Sequence, residues 1–124
     1  MKGYQYYMQD FKVNILGSEW SVKFASKEEY PNLAEMDGYT DPSTREIVVD
    51  DMKASQGQIG VKADLESYQK QVVRHEIIHA FLLESGLGSS SNSADGWAMN
   101  EEMVDWFAIQ SPKIFKLFNK LELM

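Results

Sequence analysis

The sequence predicts an α+β fold: a twisted sheet of three strands, or four, in the first half, packed on helices in the second. Three observations carry that expectation. Apolar and polar residues alternate between Phe11 and Phe24, a short β-branched run spans Arg45 to Asp50, and a stretch free of proline and glycine runs from about Asp64 to Ser85. The 124 residues suffice for one domain, with a β part over about 1–62 and a helical part over about 63–124.

Each element has its own signal. Phe11, Val13 and Ile15 alternate with Lys12 and Asn14, and Trp20-Ser21-Val22-Lys23-Phe24 alternates again. Gly17-Ser18 between them predicts a tight turn and hence a hairpin. Ala25 to Ser43 holds two of the three prolines and little periodicity, so it predicts loop with at most a helical turn. Arg45 to Asp50 predicts a third strand. Ile77 to Leu83 is apolar apart from His79, which predicts a helix buried on most sides and closed by Gly86 in the left-handed conformation. Gly88 to Gly96 predicts a linker. A second helix follows over Gly96 to Gln110, and Ser111-Pro112 predicts the start of a third, ending near Leu121. Trp106, Phe107, Ile109, Phe115, Leu117, Phe118 and Leu121 are expected to pack these two helices on each other and on the sheet, with Lys113, Lys116 and Lys120 solvated. Tyr4, Tyr6, Tyr7 and Phe11 are expected to be packing residues.

Composition removes several kinds of chemistry. The chain has no cysteine, so disulfides, thiolate zinc ligands, iron–sulfur clusters and thiol nucleophiles are excluded. Twelve Lys and Arg against 19 Asp and Glu give a net charge of −7, which argues against nucleic acid as a partner. Met1 to Asp10 lacks the apolar core of a signal peptide, and no stretch approaches the ~20 apolar residues of a membrane span. The expectation is a cytoplasmic domain without membrane association, whose chemistry comes from His, carboxylate, Ser or Tyr side chains or from a metal.

The chain's two histidines fall in one motif, His75-Glu76-Ile77-Ile78-His79. On a helix, residues four apart lie about 40° from each other on one face and one turn apart along the axis. Two imidazoles so placed can converge on one Zn2+ ion, and Glu76, about 100° round the helix, lies where a carboxylate can take a proton from water at the metal. With two histidines and 11 glutamates in 124 residues, chance gives H-E-x-x-H roughly once in 700 arrangements. Ionisable groups in an otherwise apolar helix are also costly unless paired or bound to metal. A catalytic zinc site needs a third protein ligand. The extended pattern H-x-x-G-x-x-H fails, because Leu82 stands for the glycine and Ser85 for the third histidine.

The segments H-E-I-I-H-A-F-L-L-E-S-G-L, N-E-E-M-V-D-W-F-A and R-E-I-V-V-D make the chain resemble gluzincin-type zinc metallopeptidases in their smallest form. It is similar to compact single-domain peptidases carried by phages and prophages. The resemblance covers roughly Tyr39 to Gln110 and implies a zincin-like fold, with the sheet packed on the active-site helix and a glutamate helix behind it. Asn100-Glu101-Glu102-Met103-Val104-Asp105 resembles the family motif N-E-x-x-[SA]-D, with Val104 in place of the small residue. The resemblance implies Glu101 as third ligand, with Glu102 as its competitor and Asp95 as an outside candidate. It implies Asp105 as the carboxylate accepting the free ring N–H of a ligand histidine.

The activity so implied is hydrolysis of a peptide or protein substrate: one zinc per chain acidifies water, and Glu76 takes the proton and passes it to the leaving amine. Zincins usually bind substrate as an extra strand along a sheet edge, and Glu46 to Asp50 is the expected edge. Tyr39, Arg45 and Tyr68 are candidates to stabilise the transition state. Two other readings compete: a zincin-fold protein-binding module, metal-free or with structural zinc, and a peptidase held latent by its apolar C-terminal helix.

Overall fold

The computed structural model describes residues 8–55, 64–90 and 96–124. Tyr4, Tyr6, Tyr7 and Asp95, named above, lie outside the described residues. Two alternating segments form the expected hairpin, β1 (Phe11–Ile15) and β2 (Ser18–Ala25), with Phe11 opposite Val22 and Ile15 opposite Ser18. The turn is Leu16-Gly17, one residue earlier than expected. Both residues have positive φ, 52° and 94°, the backbone twist that suits a two-residue hairpin loop. Asn14 Oδ1 braces it by accepting the Gly17 N–H at 2.9 Å.

Two further strands complete a mixed sheet in the order β1-β2-β4-β3: β3 (Gly38–Asp41) and β4 (Glu46–Asp50). β4 runs parallel to β2 and antiparallel to β3. This corrects the expected substrate edge, because Glu46–Asp50 is an interior strand. The reason is legible in its burial: Ile47 and Val49 join Trp20, Val22, Val72 and Val73 on one face, while Val48 packs with Ala25 and Leu33 on the other. An apolar run covered on both faces belongs inside a sheet. The edge is instead β3, part of the stretch expected to be loop. Gly-Tyr-Thr-Asp has no apolar alternation to announce it, and its order comes from pairing with β4.

The sheet packs on α1 (Leu65–Glu84), which matches the expected span. Asp64 caps its start by accepting the Ser67 N–H at 3.0 Å, and Gly86 closes it at φ 92°. Its buried positions are Gln69, Val72, Val73, Glu76, His79 and Ala80, a stripe at helical spacing in which two functional candidates continue an apolar row. The opposite side is more open than expected, with Phe81 exposed.

A short helix α2 (Leu87–Ser90) follows, and after a turn at Trp97–Met99 comes α3 (Glu101–Lys120). The two helices expected on either side of Ser111-Pro112 are one. Pro112 has no N–H to offer the carbonyl four residues back, Ala108, and Nε of Arg74 on α1 donates to that oxygen instead, at 2.6 Å. A side chain from the neighbouring helix thus makes the mid-helix proline tolerable. Val104, Ala108 and Ser111 are the buried residues of α3; Trp106, Ile109, Phe115, Leu117, Phe118 and Leu121 are exposed rather than packed on the sheet, as are Lys113, Lys116 and Lys120. Among the described residues no helix is long and apolar enough to cross a membrane.

The far end of α1 is tied to the sheet by Glu84, which accepts from Trp20 Nε1 at 2.9 Å and from Arg45 Nε at 2.8 Å. Arg45, then Trp20, hold its carboxyl down to about 2 from an ordinary 4.5. A depressed carboxylate pKa stabilises the fold above the unfolded value and loses that contribution as pH falls through 4.5 toward 2. Urea midpoints of the metal-free protein in EDTA should therefore fall between pH 6 and pH 3, and less steeply in Glu84→Gln. Some slope should survive, since hydrogen bonds also lower the carboxyls of Asp41, Glu46 and Asp64.

Candidate metal centre

His75 and His79 lie on successive turns of α1 and turn the same ring atom to one point. Their Nε2 atoms are 3.2 Å apart, with ring centroids at 4.9 Å in an edge-on arrangement. Glu101, in the first turn of α3, brings Oε1 to 3.1 Å from His75 Nε2 and 2.8 Å from His79 Nε2. Ligand atoms about 2.05 Å from a tetrahedral centre stand about 3.3 Å from one another, so three atoms separated by 2.8–3.2 Å fit one small cation. The chemistry agrees: two imidazole nitrogens and one carboxylate oxygen form a donor set suited to zinc. His75, His79 and Glu101 are the group among the described residues whose donor atoms gather closely enough to hold a metal.

Sequence reasoning missed how Glu101 is delivered. The helix expected from Gly96 begins at Glu101, because Asn100 caps it by accepting the Met103 N–H at 2.8 Å. That makes Glu101 the first helical residue, where a carboxylate is also favoured by the helix dipole. The signal was present: an Asn followed by two acidic residues is a helix-start pattern. Glu101 keeps 71% of its side chain exposed while both histidines are largely covered, so the donor triangle opens toward solvent on the glutamate side.

Asp105, one turn after Glu101, lies behind His75, with Oδ1 3.3 Å from Nδ1. A carboxylate at Nδ1 favours the tautomer protonated there and leaves Nε2 with its lone pair turned to the donor triangle. Glu102 lines the same cleft outside the triangle. Glu76 is nearly enclosed: Oε1 accepts from Thr40 Oγ1 at 2.7 Å, and Oε2 lies 4.0 Å from His75 Nε2. Burial raises its carboxyl pKa, against a lowering by the Thr40 hydrogen bond.

These groups line one open cleft of about 660 Å³, with Gly38, Tyr39 and Thr40 of β3 along one side and Met36, Leu83 and Met99 as apolar wall. Among the described residues, none beyond Asp105 contributes to the lining, so the C-terminal part of α3 does not cover it. Of the three candidate stabilisers, Arg45 is withdrawn: it is committed to Glu84, and it is not part of this lining. Tyr39 lines the cleft and also packs with Tyr30 against the Ala25–Leu33–Val48 cluster. Tyr68 lies beside His75, Glu76 and Asp105, its hydroxyl donated to Asp37 and its pKa raised by burial and by that carboxylate.

Comparison of the chain with protein-family models, with curated proteins and with solved structures finds no match.

Proposed function

We propose that the protein is a zinc-dependent peptidase of zincin-like, gluzincin type, hydrolysing peptide bonds with Glu76 as general base. One observation carries this reading. Three donor atoms meet at 2.8–3.2 Å, with a separate buried carboxylate 4.0 Å from one of them. A purely structural zinc site has no use for that fourth group, whereas hydrolysis needs a base beside the ligands and not among them.

His75, His79 and Glu101 would hold the ion, and Asp105 fixes the His75 ring from behind. When bound, zinc supplies Lewis acidity, acidifying water and polarising a carbonyl. Glu76 takes a proton from the attacking water at Oε2, holds it in its enclosed setting, and returns it to the leaving amine. The peptide lies along β3. Asp50 N–H donates to Asp37 C=O at 2.8 Å, so by the alternation of an antiparallel ladder Gly38 and Thr40 turn their main-chain N–H and C=O away from β4. Those groups can pair with an extended peptide irrespective of its sequence.

The test is cleavage of fluorescein-labelled casein by protein carrying one equivalent of zinc. Cleavage should stop with 1,10-phenanthroline and return with added zinc. Zinc bound at one per chain with no cleavage of casein or of a peptide library would instead favour the binding-module reading.

A further inference from the structure

We propose that Thr40 is a positioning residue for the base: its hydroxyl fixes the Glu76 carboxylate in the one orientation that turns Oε2 to the metal ligands. This rests on the peptidase reading and adds a residue to it that touches neither metal nor water.

The geometry is specific. A carboxylate on a flexible side chain, enclosed as Glu76 is, needs a donor to fix it and to offset its lost hydration. The donor is Thr40 Oγ1, 2.7 Å from Oε1 and 3.2 Å from the Glu76 main-chain oxygen. Threonine is β-branched and stiff at χ1, and its backbone is pinned opposite Ile47 in the β3–β4 ladder, so the hydroxyl is held by the sheet. Gly38, two residues earlier and on the same face, makes the approach possible. A Cβ there would lie 2.9 Å from Val72 Cγ1 and 3.3 Å from the Val48 main-chain oxygen, so a side chain would force Val72 or the β3 backbone to give way. With Oε1 engaged, Oε2 is the oxygen left for the proton.

The same residue faces the peptide. Thr40 presents its main chain to the side of β3 away from β4, the sheet edge among the described residues, and its hydroxyl to the base. A peptide registered on that edge is thereby registered on Glu76, through one residue rather than through a chain of contacts.

Thr40→Val removes the hydroxyl at nearly constant volume, and Thr40→Ser keeps the hydroxyl without the methyl. Each is compared with wild type for zinc content, for affinity toward acetohydroxamate at the zinc-loaded protein, and for kcat and KM on a fluorogenic peptide that wild type cuts. A hydroxamic acid would give its O–H proton to the base carboxylate as its anion coordinates the zinc, and no bond within the ligand other than that O–H is broken, so this readout needs no turnover. Thr40→Val should keep one zinc per chain, bind acetohydroxamate about 5- to 20-fold more weakly, and lose about 10- to 100-fold in kcat with KM within twofold. Thr40→Ser should recover to within about threefold on both counts. Thr40→Val matching wild type within twofold, or Thr40→Ser failing alongside it, would overturn the role. If wild type binds zinc and acetohydroxamate but cuts no peptide, the peptidase reading fails, while the acetohydroxamate comparison still decides Thr40. A wild type that binds no zinc overturns both.

Discussion

Glu76→Gln is expected to lower zinc-dependent peptide cleavage by about 10²- to 10⁴-fold while leaving one zinc per chain. The substitution keeps the shape of the side chain, and a glutamine carbonyl can still accept from Thr40 Oγ1. It removes only the capacity to take up a proton at the atom facing the donor triangle, 4.0 Å from His75 Nε2. Glu76 is not one of the three gathered donors, so metal content should not change. The comparison therefore separates a base from a ligand: steady-state cleavage reports the first and metal analysis after dialysis the second. Loss of zinc in Glu76→Gln would assign Glu76 to the ligand set and sink the mechanism. Unchanged cleavage with zinc in place would show that the proton goes elsewhere.

Glu101→Ala and His79→Ala are each expected to weaken zinc binding by more than about 100-fold, since even outer partners of ligands are worth 10- to 100-fold. Glu102→Ala should stay within about threefold of wild type, and Asp105→Asn should fall between, at about 10- to 100-fold. The ranking follows from geometry. Glu101 Oε1 is within 3.1 Å of both imidazole nitrogens, Asp105 stands behind one ring, and Glu102 lines the cleft outside the triangle. Competition against a chromophoric chelator at fixed pH gives the four affinities in one experiment. Zinc lost in Glu102→Ala and kept in Glu101→Ala would reverse the assignment of the third ligand.

Much of this was open to reading in the chain itself, and the failures have physical causes. His75, Glu76 and His79 were legible because helical spacing converts a four-residue interval into a shared face, whatever surrounds it. Helical spacing likewise put Glu101 and Asp105 on one face, but the choice of Glu101 over Glu102 came from the resemblance of Asn100 to Asp105 to the family motif. β3 was not, because Gly38–Asp41 carries no alternation: its order comes from β4, and a strand made by its neighbour leaves no local mark. The edge expected at Glu46–Asp50 failed because Ile47-Val48-Val49 is an unbroken apolar run, which the structure buries on both faces as an interior strand. Ser111-Pro112 looked like a helix start because proline is far commoner in a first turn than mid-helix, and the compensating donor, Arg74, is remote in sequence. Thr40 was invisible, since nothing in Tyr-Thr-Asp says which side chain the hydroxyl will meet.

Pro112 has a consequence for how the centre is assembled. Two helices lying side by side can slide by a turn and still bury comparable apolar surface, and a slide of one turn here would carry Glu101 away from both histidines. The proline marks one carbonyl on α3, Ala108, as lacking its usual donor, and Arg74 sits one residue before His75. Pairing that arginine with that carbonyl works as an index pin: other alignments leave a bare carbonyl facing α1. Contacts within the polypeptide thus hold α1 and α3 in one alignment, the one in which His75 and His79 stand opposite Glu101.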